Sequence, residues 1–316
     1  MLEKVTGGLF GFCVGDALGV PVEFVSRQSL KKKPVIDMRC YGTHNQPAGT
    51  WSDDSSLTFC LVESLCNGYN PFEIAQFFLK WLKNGYWTPH GKVFDIGQTT
   101  VNALYNFEMN MNPIHAGGKS IHDNGNGSLM RILPLAFYLR DCDESERHTK
   151  IHQVSSITHA HPRSLVACSI YVEFALNILM GFDQNESYLK MQKSIKSFFS
   201  GRVGFEEELM HFSQILEGDV SKLSEEDIES SGYVVHTLQA SIWSFLTTYD
   251  YKNAVLKSIN LGGDTDTTGA VTGGIAGLYY GFKDIPTNWT EQIVKKEEIL
   301  DLINRFYEVV SQRSGH

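Results

Sequence analysis

Two acidic stretches of the sequence combine carboxylates with hydroxyl groups. Each contributes two carboxylates and one hydroxyl: Ser52, Asp53 and Asp54 in the first, and Asp264, Asp266 and Thr267 about 210 residues later in the second. Oxygen ligands of this kind suit Mg²⁺, Mn²⁺ or Ca²⁺ and argue against a zinc or iron–sulfur site. If the two stretches face each other, their four negative charges need compensation, which two divalent cations would supply.

Each stretch also has a simpler structural interpretation. A serine followed by two aspartates at 52–54 is typical of a helix N-terminus, where the hydroxyl caps a free N–H and the helix dipole favours carboxylates. The glycine- and aspartate-rich sequence at 262–266 is of a kind that is common in turns. The metal-site hypothesis therefore depends on the two stretches occurring together.

Two other metal-dependent chemistries use part of this pattern. The residues from Asp264 to Thr268 match the D-x-D-x-T string of haloacid-dehalogenase-type phosphatases, but there the string follows an apolar strand near the start of an α/β fold. All-α terpene synthases bind magnesium through D-D-x-x-D, and here Leu57 stands where the last acid of that motif belongs. Both chemistries remain distant alternatives.

The elements that must position these residues are helices. Apolar residues recur with helical spacing along most of the chain, and alternating strand-like runs are almost absent. We predict helices at 5–18, 53–67, 71–84, 95–107, 129–139, 163–180, 188–199, 205–216, 233–246, 251–259, 268–280 and 290–311. No periodicity marks the segment from 25 to 48 or that from 109 to 127, and we predict long loops there. The fold class is therefore all-α, in one domain spanning residues 1–316.

Composition narrows the class of protein. The 316 residues are 42% hydrophobic, which is sufficient for a large core, and the 36 acids and 27 bases give a net charge of -9. An acidic balance argues against a nucleic-acid-binding surface. The six cysteines are scattered without C-x-x-C spacing, as in a cytoplasmic protein with reduced thiols. We find no signal peptide, and we expect no apolar run as long as a membrane span.

Seven segments carry a recognisable series of motifs. They are GDALGVPVE at 15–23, TWSDDSSLT at 50–58, DIGQTT at 95–100, NGNGSLMR at 124–131, TH at 158–159, SGYVV at 231–235 and LGGDTDT at 261–267. In this order they resemble the ADP-ribosylglycohydrolase family, the all-α hydrolases related to dinitrogenase-reductase-activating glycohydrolase. The resemblance spans nearly the whole chain and implies a compact orthogonal helical bundle.

The resemblance also implies a binuclear centre with two Mg²⁺ or Mn²⁺ ions. Its ligands would be Ser52, Asp53, Asp54, Asp264, Asp266 and Thr267, and the catalytic set would be Glu23, Asp53, Asp54, Asp95 and Asp266. Glu23 matches an acid beside the metals, a candidate base or gating group. Asp95 matches an acid that contacts the ribose or assists ring opening, and as an alternative it would cap the helix predicted at 95–107.

The same resemblance assigns a surface for the ADP-ribose half of the substrate. It would consist of Asn124, Asn126, Gly127, Ser128, His159 and Tyr233. Backbone N–H groups of the 122–128 loop would hold the pyrophosphate, and Tyr233 would stack on adenine or, alternatively, belong to the core. Arg131 is predicted to brace neighbouring acids. His236 departs from the family pattern, in which an acid is common at this position.

The implied activity is hydrolysis of the bond between ADP-ribose and a modified acceptor. The expected partners are an ADP-ribosylated protein, most simply one modified on arginine, and ADP-ribose as product. We expect a cytoplasmic monomer that binds no membrane and meets nucleic acid only as a modified substrate. A non-catalytic ADP-ribose-binding, immunity or crystallin-like protein is the alternative, and the intact set of metal-ligand positions favours an enzyme.

Overall fold

Helices form nearly all of the regular structure in the computed structural model, which describes residues 1–313. The α-helices are α1 (Leu2–Gly19), α2 (Arg27–Lys32), α3 (Asp53–Asn67), α4 (Pro71–Asn84), α5 (Gln98–Glu108), α6 (Pro113–Ala116), α7 (Pro134–Tyr138), α8 (Glu144–Ser156), α9 (Pro162–Leu179), α10 (Gln184–Phe199), α11 (Ser213–Leu216), α12 (Val234–Leu246), α13 (Tyr251–Ile259), α14 (Thr265–Tyr280), α15 (Thr287–Thr290) and α16 (Lys296–Gln312).

Short 3₁₀ helices connect these elements. They lie at Val20–Val22, Gly42–His44, Ile121–Asp123, Asn126–Arg131, Glu206–Phe212, Val220–Lys222, Glu225–Asp227 and Phe282–Asp284. Between residues 1 and 313 the only extended pairing consists of three isolated bridges, so no strand is formed. The prediction of an all-α fold is therefore confirmed.

Helices α1 and α14 pack against each other through their backbones. Glycines recur every fourth residue on both helices, and they meet in antiparallel pairs: Gly7 with Gly277, Gly11 with Gly273, and Gly15 with Gly269. A Cβ added at Gly15 would lie 2.1 Å from the carbonyl oxygen of Gly269, so no other residue fits without displacing a helix. We call these paired glycines the glycine ladder.

The remaining long helices surround this central pair. Helix α14 also packs on α12 and α13, whereas α3 packs on α4 and α16, and α9 packs on α8 and α10. One hydrophobic cluster includes side chains from Val5 near one end of the described chain to Val310 near the other. The core thus joins α1 to α14 and α16 and fixes the starts of α3 and α14 relative to each other.

Helix boundaries were predicted well where a cap marks them. Ser52 caps α3 by accepting a hydrogen bond from the backbone N–H of Asp54, and Asn70 caps α4 in the same way. The predicted start at Asp95 was wrong, because α5 begins at Gln98 after Gly97. Asp95 is therefore not the helix cap that the sequence allowed as an alternative.

Other differences between the predicted and the observed helices occur where the local sequence signals are weak. Helix α8 was missed because its sequence is mostly polar, with few apolar residues to define a stripe. Two successive helical segments replace each of three helices that were predicted as continuous, those at 129–139, 205–216 and 290–311. Pro134 begins the second piece of the first of these, as a proline at a first helical position commonly does.

Two helices are long and apolar enough to cross a membrane by length and composition, whereas no such run was expected from the sequence. They are the segment Leu2–Val22 and helix α9, and 100% and 89% of their apolar windows are buried. Burial inside the core accounts for their apolar composition, since core helices commonly share it with membrane spans.

Candidate active site

The starts of α3 and α14 meet at the bottom of a cleft. Asp53 and Asp54 lie in the first turn of α3, and Asp266 and Thr267 lie in the first turn of α14. Thr267 Oγ1 donates a hydrogen bond of 3.3 Å to Asp54 Oδ1, which links the two helices directly. The two acidic stretches that are separated in sequence are therefore adjacent in the fold.

Two carboxylate oxygens at this junction have no protein partner. Asp54 Oδ2 and Asp264 Oδ1 are buried and accept no hydrogen bond, although the other oxygens of both residues are bonded. Buried carboxylate oxygens are almost always satisfied by a donor or a cation. The donor set, made of carboxylates and hydroxyls, fits hard divalent cations such as Mg²⁺ or Mn²⁺.

Electrostatics at the junction lead to the same conclusion. Burial, followed by repulsion from neighbouring carboxylates, raises the pKa of Asp53, Asp54 and Asp266 well above the usual range of a carboxyl group. Burial also raises the pKa of Asp264. Positive charge placed between these groups would restore their ionised forms, because it removes the mutual repulsion.

A second acidic group lies beside the first. Ligand atoms of Glu23, His44, Asp95 and Asp266 lie within 4.8 Å of one another. Burial raises the pKa of Glu23 to about 7, although a hydrogen bond from His44 Nε2 opposes this shift. The same hydrogen bond raises the pKa of His44. Predicted residues Glu23 and Asp95 therefore face the junction together.

Sequence reasoning missed His44. It ends the 3₁₀ helix Gly42–His44 within the segment that was predicted as a loop, and the neighbouring Thr43 donates a hydrogen bond to the Glu23 carbonyl. A single histidine in a loop gives no periodic signal, and its contact with Glu23 spans 21 residues. Only the fold identifies it.

Asp16 is a further residue at the junction, with no role predicted from the sequence. Its carboxylate accepts hydrogen bonds of 3.0 Å from the backbone N–H groups of Ser52 and Ser55, and one of 2.5 Å from Ser55 Oγ. Asp16 lies close enough to Asp54 and Asp266 to share a cation. However, the N–H group of the cap residue Ser52 reaches both its oxygens and Ser55 of α3 bonds one of them, and we assign Asp16 to holding the start of α3.

The 124–128 loop contributes to the cleft unevenly. Asn126 lines it and donates hydrogen bonds to Asp264 Oδ2 at 3.0 Å and to Thr237 at 2.9 Å, and Gly127 also lines it. Asn124 instead accepts a hydrogen bond from Ser164 beneath the surface. Ser128, with 0% exposure, accepts one from Ser155 and also lies outside the cleft lining.

His159 lies against this loop as a neutral imidazole. Burial lowers its pKa to about 3, and Thr158 Oγ1 lies 2.8 Å from its Nδ1. A Cβ on Gly127 would approach the His159 ring to 2.7 Å, so glycine is required there for close packing. His159 can therefore bond a ligand through Nε2 without adding a positive charge.

Tyr233 and Arg131 occupy the surroundings of the cleft. The Tyr233 hydroxyl accepts a 2.9 Å hydrogen bond from Arg163, and its ring meets His236 edge to face, so it does not line the cleft itself. Arg131 forms no ion pair or hydrogen bond with an acid in the described part of the chain, although the charge of Asp53 is close enough to act on it. It donates instead to the backbone carbonyls of Gly127 and Val154.

The cleft has a volume of about 330 Å³. Its lining consists of Glu23, Phe24, Asp53, Asp54, Asp95, Ile96, Gly97, Gln98, Thr99, Thr100, His122, Gly125, Asn126, Gly127, Met130, His159, Gly232, Asp264 and Thr267. A larger depression of about 710 Å³ lies between Asn84–Trp87 and α16 and shares none of these residues. We assign the active site to the smaller cleft, because the unpartnered carboxylate oxygens lie at that site.

Comparison with known proteins gives consistent matches along the chain. The profile of the ADP-ribosylglycohydrolase family matches residues 1–315. ADP-ribosylarginine hydrolase Tri1 from Serratia proteamaculans (strain 568) is 31% identical, and the match covers 97% of this chain and 79% of that relative. ADP-ribosyl-dinitrogen reductase glycohydrolase from Rhodospirillum rubrum is 27% identical over 94% of this chain and 92% of its own.

A solved structure matches the fold as well. The structure described as an ADP-ribosylglycohydrolase-related protein complex superposes with a TM-score of 0.81 at 28% identity, covering 98% of both chains. The match includes the whole helical framework that brings the starts of α3 and α14 together. With its acidic cleft, its all-α fold and its full-length match, this chain belongs to the ADP-ribosylglycohydrolase family of enzymes.

Proposed function

We propose that the protein hydrolyses the glycosidic bond between ADP-ribose and an arginine side chain of a modified protein. The observation that carries the proposal is the pair of unpartnered carboxylate oxygens, Asp54 Oδ2 and Asp264 Oδ1, at the bottom of the cleft. Relatives from Serratia proteamaculans and Pseudomonas putida, both named ADP-ribosylarginine hydrolase, support arginine as the acceptor.

Two divalent cations, Mg²⁺ or Mn²⁺, would be held by residues at the starts of α3 and α14. The proposed ligands are Ser52, Asp53, Asp54, Asp264, Asp266 and Thr267. Bound there, the cations would supply Lewis acidity and neutralise the crowded carboxylates. The helix starts themselves are fixed by the protein, since Thr267 bonds Asp54 and Asp16 bonds the backbone of Ser52.

The loop residues would orient the ADP-ribose half. Asn126 is held between Asp264 and Thr237, so its backbone and that of Gly127 keep a fixed position at the cleft surface. His159 offers a neutral imidazole, which suits hydrogen bonding to ribose or phosphate without strong charge pairing. This arrangement would bind an anionic ligand by backbone and neutral groups in a protein with a net charge of -9.

Glu23 and Asp95 are the proposed groups beside the reacting bond. In the reaction, the oxygen of a water molecule bonds to the anomeric carbon of the distal ribose, and the bond from that carbon to the guanidine nitrogen breaks. One proton of the water passes to a carboxylate, for which we propose Glu23, and the other stays on the new hydroxyl of ADP-ribose. The Glu23 carboxyl then gives its proton to the departing guanidine nitrogen and is a carboxylate again. Asp95 lies close enough to Glu23 to contact the same ribose.

The direct test is release of ADP-ribose from a protein substrate modified on arginine. We expect the purified enzyme to release ADP-ribose with Mg²⁺ or Mn²⁺, to lose activity in EDTA and to recover it when the metal is restored. The substitution Asp266→Ala should abolish release. Glu207→Gln, which changes an exposed carboxylate outside the cleft, serves as the matched control and should retain wild-type activity. Full activity of Asp266→Ala would refute the proposal.

A further inference from the structure

An exposed phenylalanine lies at the edge of the active-site cleft. Phe24 is 69% exposed, and of the large hydrophobic residues exposed between residues 1 and 313 it alone lines this cleft. Exposure of a whole phenyl ring gives no folding advantage, because the hydrophobic effect favours its burial. Its position next to the catalytic candidate Glu23 suggests a role in ligand contact.

The backbone holds this ring at some energetic cost. Phe24 has a φ of +62°, a conformation that is unfavourable for a bulky residue with a Cβ. The Phe24 N–H donates a 2.7 Å hydrogen bond to the Gly263 carbonyl, and the Gly263 N–H donates one of 3.0 Å to Val25. These two bonds fix Phe24 to the segment that leads into the metal-ligand candidate Asp264. Strain of this kind is found mainly where a side chain serves function.

Phe24 belongs to a row of rings. The His44 ring lies 6.3 Å from that of Phe24 and 5.4 Å from that of Phe94, measured between centroids. Two carboxylates accompany the row, since Glu23 bonds His44 and Asp95 follows Phe94. We call Phe24, His44 and Phe94 the aromatic wall. Of its three rings, that of Phe24 lines the cleft, and the carboxylates of Glu23 and Asp95 line the cleft with it.

Aromatic faces beside carboxylates are the chemistry that recognises a planar organic cation. A guanidinium group stacks on rings through its face and donates hydrogen bonds from its edge to carboxylates. In the proposed reaction the acceptor is attached to the carbon at which the bond breaks, so it must lie close to Glu23 and Asp95. Phe24 lines the same cleft as both residues.

From these contacts, and resting on the proposed function, we infer that Phe24 determines acceptor specificity by stacking on the guanidinium of ADP-ribosylated arginine. A neutral acceptor such as serine would gain little from the same ring, because it has neither the charge nor the planar face. Phe24 would also not contribute to binding of ADP-ribose alone, which lacks the acceptor.

The test compares Phe24→Leu with Phe24→Tyr. Leucine keeps an apolar side chain in the same backbone conformation but removes the aromatic face, whereas tyrosine keeps that face. Phe72→Leu is the matched control, because Phe72 is a second exposed phenylalanine, on α4 and outside the cleft. Three quantities are measured for each protein: kcat/KM on arginine-linked substrate, kcat/KM on serine-linked substrate, and the Kd for ADP-ribose by calorimetry.

We expect Phe24→Leu to lower kcat/KM on the arginine-linked substrate about tenfold, the size of one lost cation–π contact. Its kcat/KM on the serine-linked substrate and its Kd for ADP-ribose should stay within about twofold of wild type, and Phe24→Tyr should match wild type. If the serine-linked substrate is not cleaved, the Kd for ADP-ribose provides the comparison.

Equal losses on both substrates, weaker ADP-ribose binding, or unchanged arginine activity in Phe24→Leu would overturn the inference while leaving the proposed function intact. The wild-type enzyme reports separately on the proposed function. If it cleaves only the serine-linked substrate, or neither substrate, the arginine assignment fails and the role of Phe24 fails with it.

Discussion

Asp16 and Asp54 are two buried aspartates in opposite environments. Asp16 accepts hydrogen bonds from two backbone N–H groups and one hydroxyl. Burial raises the pKa of Asp16 to about 6, and these hydrogen bonds oppose that rise. Asp54 has one oxygen without a partner, and nearby carboxylates repel it. At the scale of single residues, one aspartate stabilises the fold, and the other is a destabilising group that we expect to be retained for metal binding.

We predict that Asp54→Asn and Asp16→Asn change stability in opposite directions in chelator. Removing the repelled charge in Asp54→Asn should raise the free energy of unfolding by about 1–2 kcal/mol. Asp16→Asn leaves donors without an acceptor and should lower it by about 2–4 kcal/mol. Urea denaturation in EDTA measures both values.

A metal titration provides the second measurement for this pair. Wild-type protein should gain thermal stability when Mn²⁺ or Mg²⁺ is added after EDTA, because a ligand of the folded state stabilises it. Asp54→Asn should lose most of this gain. Destabilisation of the chelated protein by Asp54→Asn, or an undiminished metal response, would contradict our account of the junction.

At the scale of helices, the glycine ladder sets the distance between the two halves of the site. Because α1 and α14 touch through backbone atoms, Asp16 near the end of α1 and Asp266 near the start of α14 are close neighbours. Asp16 in turn holds the start of α3. The ladder therefore controls the relative position of all three helices at the junction.

We predict that Gly15→Ala destabilises the protein by about 3 kcal/mol or more and weakens metal binding, since its Cβ meets backbone that cannot move independently. Gly8→Ala is the matched control on the same helix, where the nearest atom to an added Cβ is a ring carbon of Phe137 at 3.0 Å. A smaller loss is expected there, because a side-chain ring can shift by a few tenths of an ångström whereas the backbone that faces Gly15 cannot. The gain of about 1 kcal/mol from the helix propensity of alanine applies at both positions. Thermal unfolding with and without Mn²⁺ measures both effects, and equal losses would contradict the role of the ladder.

Local signals account for what could be predicted at this scale. Ser52 and Asn70 mark the starts of α3 and α4, because the side chain of a cap residue bonds the backbone N–H groups two or three residues later. The Asp16 contact with Ser52 spans 36 residues, and the His44 contact with Glu23 depends on a loop without periodicity. Such pairings depend on tertiary packing. The metal-ligand candidates could therefore be named from the sequence, whereas the neighbouring residues Asp16 and His44 could not.

At the scale of the whole molecule, the core and the site both join distant parts of the chain. The hydrophobic cluster runs from Val5 to Val310, and the proposed metal ligands come from α3 and α14. A single domain remains our prediction on this basis. Buried histidines inside the same core make the stability of the molecule depend on pH.

Acid should destabilise the protein through these histidines. Burial lowers the pKa of His148 to about 3 and that of His152 to about 4. In the unfolded chain a histidine has a pKa of ~6.5. Above a pH of ~6.5 these imidazoles are mostly unprotonated in both the folded and the unfolded protein. As the pH falls, the unfolded chain takes up protons first. Stability is therefore lost progressively between ~6.5 and the folded pKa values.

The variant His148→Gln isolates this effect. Glutamine stays neutral, and its amide can still bond Ser169, which lies 3.1 Å from the His148 ring. The free energy of unfolding lost between about pH 7 and pH 4 should shrink by about 3 kcal/mol relative to wild type. Buried carboxyls titrate in both proteins, so the comparison removes them. Identical pH profiles from urea denaturation would contradict the assignment.

The glycine ladder also affects the order in which the chain can fold during its synthesis. Helix α1 leaves the ribosome about 250 residues before the helix against which its glycines pack. At usual translation rates that interval lasts tens of seconds, during which an apolar helix lacks its partner. Chaperone protection of the nascent chain would matter most in this period. The metal-ligand candidates of α3 likewise lack those of α14 until the last third of the chain has been made. The proposed catalytic centre can therefore assemble only near the end of translation.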